Sequence, residues 1–295
     1  MQKDNCVIMK STAGFYYVRC EDGNVIECKA RGVFRKQKLT PLVGDIVTIE
    51  TDGQTGTVID IAPRRNYLQR PPVANIDKLV IVSAVKEPVP NIPIIDKMTA
   101  IAVDKNITPV VVFSKSDLGE TDEYVEIYRK AGIESFAVSA KTGEGIEKFR
   151  AVFENSVCVL TGNTGVGKSS ILNGIAPHLD LATSHISNKL GRGRHTTRTV
   201  EIYELCGGYI ADTPGFSSLD FENIEIIRKE NLQFCFPEFD EYINTCKFVS
   251  CAHICEKGCS ICQAVSEGKI SQSRHDSYKM MYDEVKDYKE WENKQ

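Results

Sequence analysis

Hydrophobic and polar residues alternate along the first seventy positions of the chain. Clear examples span residues 14–20, 25–30, 43–50 and 57–61, and turn residues such as Gly23 separate them. An apolar residue at every second position is typical of a strand with one buried face. About five short strands in this length predict a small closed barrel of the OB type, the common five-stranded form.

The pattern changes after Arg70-Pro71-Pro72, where apolar residues begin to form continuous runs. The runs predict buried strands and the amphipathic segments between them predict helices. The predicted strands are residues 78–84, 109–113, 135–139 and 157–160, and the predicted helices are residues 93–104, 121–131 and 144–154. Apolar strands joined by helices predict a mostly parallel, doubly wound sheet that binds ligands at the carboxyl ends of its strands.

The last sixty or so residues lack this β–α alternation and contain a group of cysteines. We therefore predict three domains. Residues 1–70 form the barrel, residues 71–232 form the α/β domain, and residues 233–295 form a small metal-binding helical module. In its final part, 266–295, a polar helix carries a packing stripe of Tyr278, Met281 and Tyr282.

The segment after the apolar run 157–160 has the pattern of a phosphate-binding loop. It contains G-x-x-x-x-G-K-S between Gly162 and Ser169 and leads into a helix-like stretch. Glycines let successive backbone N–H groups converge on phosphate oxygens, and the helix N-terminus adds partial positive charge. In this pattern Lys168 contacts the β and γ phosphates and Ser169 ligates Mg²⁺. The predicted nucleotide contacts are Gly162, Asn163, Thr164, Gly165, Val166, Gly167, Lys168, Ser169 and Ser170.

Three further short motifs stand at the ends of predicted strands. They are Ser114-Lys115-Ser116-Asp117, Ser139-Ala140-Lys141 and Asp212-Thr213-Pro214-Gly215. Together with the phosphate-binding loop they resemble the motif set of the Ras-like GTPases. That resemblance implies guanine recognition by Ser114, Lys115, Asp117, Ser139, Ala140 and Lys141, and sensing of Mg²⁺ and γ-phosphate by Asp212 and Gly215. The guanine motifs precede the P-loop here, so we expect a circularly permuted GTPase core.

Charge and cysteine usage restrict the class of protein further. The net charge is −4, but residues 1–70 hold eleven basic against eight acidic residues. The barrel could therefore present a nucleic-acid face, with Arg64 and other basic residues beside Phe15, Tyr16 and Phe34, or simply a solvated basic rim. No apolar run is long enough to span a membrane and no signal peptide is evident, so we expect a cytoplasmic protein with reduced cysteines.

Five of the eleven cysteines fall within seventeen residues, which suggests a metal site. The spacing Cys246-x4-Cys251-x-His253-x5-Cys259 supplies three thiolates and an imidazole, the donors of a closed, structural zinc site. Cys255 and Cys262 lie in the same segment, and spacing alone does not exclude them as ligands. Reduced, buried cysteines without metal are the alternative.

The whole chain resembles the bacterial ribosome small-subunit-dependent GTPase A family. The resemblance rests on the barrel, the permuted motifs, the cysteine spacing and Gly191-Arg192-Gly193-Arg194-His195-Thr196-Thr197-Arg198, the family's switch I signature. It implies a monomer that hydrolyses GTP to GDP, with Mg²⁺ and one structural Zn²⁺. It also implies action on the 30S ribosomal subunit and its 16S rRNA during late maturation.

Lys168 and Thr197 are the expected catalytic groups, and Ser169 and Thr197 the expected Mg²⁺ ligands; Thr196 is the alternative threonine. Phe216 follows Gly215, where many Ras-like enzymes have a water-orienting glutamine. Turnover should therefore be slow without a partner. His195 is the candidate substitute, or else a switch residue that contacts RNA or solvent. Two other functions stay open: an ATPase, because Ser114 replaces the usual asparagine, and a nucleotide-gated RNA-binding module with negligible hydrolysis.

Overall fold

A computed structural model describes residues 1–176, 200–212 and 226–287 of the chain. Its strands β1–β13 are, in order, Gln2–Thr12, Phe15–Arg19, Val25–Ala30, Ile46–Thr51, Thr55–Ile61, Tyr67–Gln69, Pro72–Ala74, Lys78–Ala84, Thr108–Ser114, Glu134–Val138, Val157–Thr161, Val200–Leu205 and Gly208–Asp212. The α-helices α1–α8 are Val33–Lys36, Ile92–Asp104, Asp122–Lys130, Ile146–Ala151, Lys168–Ile175, Lys229–Leu232, Ser260–Ser266 and Gln272–Val285. Single 3-10 turns span Ser116–Leu118, Gln233–Cys235 and Pro237–Phe239.

The described chain divides into two compact units. The first contains residues 1–79, 147–160, 172–176 and 200–212, and the second contains residues 80–146, 161–171 and 226–287. No helix among the described residues is both long and apolar enough to cross a membrane.

The barrel of the first unit is built from strands β1–β5. Strand β2 pairs antiparallel with both β1 and β3, β3 is parallel to β5, and β4 pairs antiparallel with both β5 and β1. The pairing of β1 with β4 closes the barrel, as predicted for an OB-type fold. Its interior is apolar and includes Ile8, Val18, Ile49 and Val58, all fully buried.

Two aromatic residues predicted for a nucleic-acid face of the barrel lie in its core instead. Tyr16 is 7% exposed and Phe34 only 4% exposed. Tyr16 lies in β2 between half-buried Phe15 and Tyr17, so strand alternation turns it inward. Phe34 is the buried residue of the short helix α1. The prediction for these two side chains was wrong, because sequence alone did not show which face of each element is covered.

The remainder of the first unit is a mixed sheet. Strand β11 pairs parallel with β13, β13 pairs antiparallel with β12, and β12 pairs antiparallel with β1. Asp212 is the last residue of β13 and pairs in register with Glu201 of β12. The carboxyl end of β13 therefore leads directly into the motif that begins at Asp212.

In the second unit, strands β8, β9 and β10 lie side by side, with helix α2 between β8 and β9 in sequence and α3 between β9 and β10. Helix α2 is capped by Asn91, whose side chain accepts a hydrogen bond from the Ile94 N–H at 3.3 Å. Strands β9 and β10 are parallel, and Ser114 is the register partner of Val138. The two loops that follow these residues therefore start at the same edge of the sheet.

The C-terminal part of the second unit has its own core. It is formed by stacked and edge-on aromatic rings, chiefly Phe236, Phe239 and Tyr278. Tyr278 and Met281 are buried and Tyr282 is partly buried against the same core, as the predicted stripe required. Ala100 and Ile101 of α2 belong to this core as well, so the cysteine-rich segment packs on the α/β part of its unit.

A buried arginine stands at the same contact. Arg274 of α8 donates to Asp96 Oδ1 at 2.8 Å and to Thr99 Oγ1 at 2.9 Å, and both acceptors lie in α2. It also donates to both carboxylate oxygens of Glu238, at 2.7 and 3.2 Å. The side chains of Arg274 and Asp96 are 0% exposed and that of Glu238 is 3% exposed. The guanidinium thus joins α8 to α2 without access to solvent.

Candidate functional site

The phosphate-binding loop connects β11 to α5. Gly162 opens it with a φ of 144°, and a Cβ at that position would lie 2.2 Å from the carbonyl oxygen of Val82. Only glycine fits this approach of two backbones. Thr164 and Gly165 are exposed at the tip of the loop, whereas Val166 is buried beneath it. The backbone at the tip therefore faces solvent, where a phosphate chain can reach it.

Lys168 and Ser169 form the first turn of α5. The Lys168 ammonium donates to the carbonyl oxygens of Gly162 at 2.6 Å and Asn163 at 2.9 Å, so it lies within the curve of the loop. Burial lowers the pKa of Lys168. A phosphate in the loop would favour the charged ammonium, because an opposite charge offsets the desolvation. Ser169 is partly buried beside it and Ser170 is exposed.

The loop after β9 lies next to the phosphate-binding loop. The Ser114 hydroxyl, at the end of β9, donates to the carbonyl oxygen of Val166. Lys115 has a left-handed backbone, with a φ of 59°, and its ammonium donates to the carbonyl oxygen of Glu87. The sequence did not indicate that Glu87 contacts Lys115, because the contact uses a backbone oxygen of Glu87 in an irregular segment.

Asp117 meets the motif that follows β10, as the shared edge of the sheet requires. Its carboxylate accepts a hydrogen bond from the Ser139 hydroxyl at 2.7 Å and lies 3.8 Å from the Lys141 ammonium. The Ser139 hydroxyl, helped by the positive charge of Lys141, holds the pKa of Asp117 below its ordinary value. Ser139 also accepts from the N–H groups of Lys141 and Thr142, both at 3.2 Å, which shapes the turn that contains Ala140. The structure thus presents an ionised carboxylate in the loop after β9, and Ser114 at the end of β9 bonds to the phosphate-binding loop.

Four of the predicted metal ligands converge in the C-terminal segment. The ligand atoms of Cys246, Cys251, His253 and Cys259 all lie within 4.8 Å of one another. His253 Nδ1 is 3.6 Å from the sulfurs of both Cys246 and Cys259, and these two sulfurs are 3.9 Å apart. Ligand atoms at the corners of a tetrahedral zinc site with Zn–S bonds of about 2.3 Å stand about 3.8 Å apart. The donor set and its spacing therefore fit Zn²⁺.

The two competing cysteines lie outside this group. Cys255 is exposed. The Cys262 sulfur lies 3.8 Å from the carbonyl oxygen of His253, and the Cys262 N–H donates to the Cys259 sulfur at 3.4 Å. Cys262 thus supports the ligand loop from its edge.

A residue that sequence analysis did not identify orients the histidine. Gln233 Oε1 lies 3.0 Å from His253 Nε2, on the side of the ring opposite the sulfurs. An acceptor there keeps the proton on Nε2 and leaves the Nδ1 lone pair free for a metal. Nothing in the sequence marks Gln233, because it is twenty positions away in an unremarked polar segment.

Several predicted site residues lie outside the described part of the chain. They are His195, Thr197, its alternative Thr196, and Gly215. Asp212 is described only as the final residue of β13. The described site therefore comprises the phosphate-binding loop, the two loops at the adjoining sheet edge, and the Cys3His group.

Two family models match the chain and together span most of its first three quarters. Residues 6–59 match the RsgA N-terminal domain, and residues 61–222 match the RsgA GTPase model, which alone covers more than half of the chain. The chain belongs to the RsgA GTPase family. The resemblance inferred from the motifs is thereby confirmed.

Members of the RsgA family match the chain over nearly its whole length. It is 44% identical to the small ribosomal subunit biogenesis GTPase RsgA of Bacillus cereus, over 96% of this chain and 97% of that one. The protein of the same name from Caldanaerobacter subterraneus subsp. tengcongensis is also 44% identical, over 95% of both chains.

Solved structures of similar proteins share the fold. YloQ, described as a circularly permuted GTPase, has a TM-score of 0.78 and 34% identity, over 98% of this chain and 96% of that one. YjeQ from Thermotoga maritima has a TM-score of 0.81 and 32% identity, over 98% of this chain and all of that one. The permuted order predicted from the motifs is confirmed by these similarities.

Proposed function

We propose that this RsgA-family chain is a GTP hydrolase that acts in the biogenesis of the small ribosomal subunit. The observation on which this rests most is the Asp117 carboxylate, which Ser139 holds at 2.7 Å in a loop that Ser114 ties to the phosphate-binding loop. A carboxylate can accept hydrogen bonds from the N1–H and the exocyclic amine of guanine. Adenine presents neither group in that arrangement, so it would leave the carboxylate unmatched.

Hydrolysis of a γ-phosphate requires mainly positioning and neutralisation of charge. We assign Lys168 to the β and γ phosphates, because its ammonium already lies within the loop. The backbone N–H groups from Gly162 to Ser170 would contact the phosphate chain. Ser169 and Thr197 would hold Mg²⁺, with Asp212 in its hydration shell, and the ion when bound would neutralise phosphate charge.

Phe216 stands where a water-orienting glutamine would follow Gly215, and a phenyl ring cannot orient water by hydrogen bonding. Intrinsic turnover should therefore be slow. We propose His195 as the group that orients the attacking water once the 30S subunit is bound, with Thr197 sensing the γ-phosphate. The His195→Ala variant should then lose stimulated turnover while its affinity for the subunit changes little; turnover that survives would restrict His195 to docking.

We propose that Cys246, Cys251, His253 and Cys259 hold one structural Zn²⁺, with Gln233 orienting the histidine. Four protein ligands leave no open position for a reacting water, so the metal would supply folding free energy and no catalysis. We also propose three domains: the barrel at residues 1–70, the GTPase core at 71–232 and the zinc module at 233–295.

The partner we propose is the 30S subunit, contacted through its 16S rRNA by a monomer in the cytoplasm. The barrel supports this because cations lie over its outward aromatic rings, with Lys29 5.0 Å from the Phe15 ring centre and Lys10 6.0 Å from that of Tyr17. Aromatic rings and positive charge together bind single-stranded RNA. The Phe15→Ala variant should bind the subunit more weakly and GTP equally well.

One paired measurement tests the proposed function. Binding of GTP and ATP is measured first, and then phosphate release with and without 30S subunits. We expect strong preference for GTP and turnover that rises with the subunit. Equal binding of the two nucleotides would indicate an ATPase or an unspecific site, and absence of turnover with the subunit would indicate a nucleotide-gated binding module.

The nucleotide should also control the partner. The basic, acid-free stretch from Lys189 to Arg198 precedes β12, and ordering it around γ-phosphate would lower the entropy cost of docking on RNA phosphates. Subunit affinity is therefore expected to be higher with a non-hydrolysable GTP analogue than with GDP at one fixed salt concentration. Equal affinities would show that this segment does not couple nucleotide to partner.

A further inference from the structure

The Ser114 side chain lies beneath the phosphate-binding loop. It is 1% exposed, and its hydroxyl donates to the carbonyl oxygen of Val166 in that loop. A second carbonyl oxygen, that of Ser83 at the carboxyl end of β8, lies 3.3 Å from the same hydroxyl. The hydrogen bond joins residues 52 positions apart and ties the end of β9 to the loop.

The chemistry of serine limits which further hydrogen bonds the Ser114 side chain can make. A serine hydroxyl has a single proton to donate, whereas an asparagine amide has two donors and an acceptor. The N7 and O6 atoms on one edge of guanine are both acceptors. Ser114 could therefore contact that edge only by giving up its hydrogen bond to Val166, and its burial leaves it no surface toward a base.

The bond to Val166 is costly to lose. Val166 is 2% exposed, so its carbonyl oxygen would be left without a partner in a buried position if Ser114 turned away. Gly167 packs against the same residue, since a Cβ on it would lie 3.8 Å from the Ser114 hydroxyl oxygen. Both residues lie directly before Lys168, so a shift in the Ser114 bond would move the phosphate contacts.

We propose that Ser114 is a positioning residue: it holds the phosphate-binding loop in place and does not recognise the guanine N7. Discrimination of the base then rests on Asp117 and the other edge of guanine. This inference rests on the proposed GTP-binding function and deepens it. It predicts that residue 114 affects the shape of the loop. It also predicts that residue 114 has no effect on whether the protein distinguishes a base with N7 from one without it.

The experiment compares GTP with 7-deaza-GTP, in which a C–H group replaces N7. Affinities are measured for the full-length, zinc-containing wild type and for Ser114→Ala, Ser114→Thr and Ser116→Ala. Ser116 is the matched control, because its hydroxyl in the same loop donates to the Glu144 carboxylate at 2.8 Å on the surface. Thermal unfolding of each variant is recorded, and binding is measured well below the transition.

Loss of one neutral hydrogen bond corresponds to roughly five- to tenfold in affinity. We expect wild type to bind 7-deaza-GTP about as tightly as GTP. Ser114→Ala should weaken the binding of both nucleotides by that same roughly five- to tenfold factor, so the ratio of the two affinities stays unchanged. Ser114→Thr keeps the hydroxyl and should restore affinity, and Ser116→Ala should behave as wild type.

Two results would overturn the proposal. The first is a wild type that favours GTP over 7-deaza-GTP by roughly five- to tenfold, with the preference lost in Ser114→Ala, since Ser114 would then contact N7. The second is a Ser114→Ala variant with lower thermal stability but wild-type affinity, which would make the residue structural only. Failure of the proposed function looks different: wild type would bind no guanine nucleotide, or would bind ATP equally well.

Discussion

Replacing Arg274 with methionine is expected to destabilise the C-terminal part of the protein strongly. Methionine keeps much of the aliphatic volume but removes a guanidinium that is 0% exposed. The change leaves the carboxylates of Asp96 and Glu238 buried without their cation. It also removes the cation from above the Phe236 ring, whose centre lies 4.6 Å from the Arg274 Cζ atom.

Breaking a buried ion pair by removing one partner costs about 3–5 kcal/mol, because a charge stays buried without compensation. Two carboxylates are stranded here, and a cation–π contact worth about 1–2 kcal/mol is lost as well. We therefore expect a loss of about 4–7 kcal/mol in the free energy of unfolding. Since single domains are stable by only about 5–15 kcal/mol, this loss is a large fraction of the total stability.

Urea unfolding of the zinc-loaded protein, followed by far-ultraviolet circular dichroism, measures this loss. Lys279→Met on the same helix is the matched control, because Lys279 pairs with Asp276 at 2.7 Å but the two side chains are 32% and 55% exposed. An exposed pair contributes less than about 1 kcal/mol, so this variant should unfold almost as wild type does.

A second variant separates charge from packing. Arg274→Met combined with Asp96→Asn and Glu238→Gln removes the stranded charges, and most of the lost stability should return. If Arg274→Met costs within about 1 kcal/mol of the Lys279 control, or if the triple variant is less stable than the single one, the electrostatic argument is wrong.

Three further predictions concern the nucleotide and metal sites. Asp117→Asn should exchange the preference for GTP for one for xanthosine triphosphate, seen in competitive binding; an unchanged preference would remove Asp117 from base recognition. Cys251→Ala should purify without zinc and with an unfolded C-terminal segment, while Cys255→Ala keeps one Zn²⁺ per chain by metal analysis; the reverse pattern would reassign the ligand. Gln233→Ala should weaken zinc binding about 10- to 100-fold in chelator competition, and Gln233→Glu should restore it, because the acceptor on His253 Nε2 sets the tautomer; equal affinity in all three proteins would show that Gln233 does not orient the ring.

The grouping of the candidate nucleotide and metal residues could be predicted from the sequence because it depends on local spacing. The glycines and Lys168 lie within one short loop, and the ligands from Cys246 to Cys259 lie within one short segment, so covalent geometry keeps each set together. Parallel strands explain the rest, since Ser114 and Val138 are register partners and the motifs after them must meet. Whether a segment forms a strand or a helix could also be predicted, because the period of its apolar residues is a local property of the sequence.

Element ends were less predictable, as helix α4 shows. Periodicity predicted a helix over residues 144–154, whereas the structure has Ile146–Ala151. Gly145 adopts a φ of 69°, and a Cβ there would lie 2.1 Å from the carbonyl oxygen of Ala137. The helix therefore begins only after a backbone contact that the hydrophobic pattern does not contain.

Partners distant in sequence were decided only by the tertiary structure. Arg274 and Asp96 are 178 positions apart, and as isolated residues both would be assigned to the surface. Tyr16 and Phe34 have aromatic side chains of the kind that stack on RNA bases, but they lie in the barrel core instead. Ser114 occupies a motif that resembles the guanine-binding motif of GTPases, yet its hydroxyl bonds to Val166. The position of a residue in the hydrophobic pattern and its chemistry limit which interactions its side chain can make. The packing of distant segments determines which of them it makes, because both burial and the choice of partner depend on which segment the fold places against it.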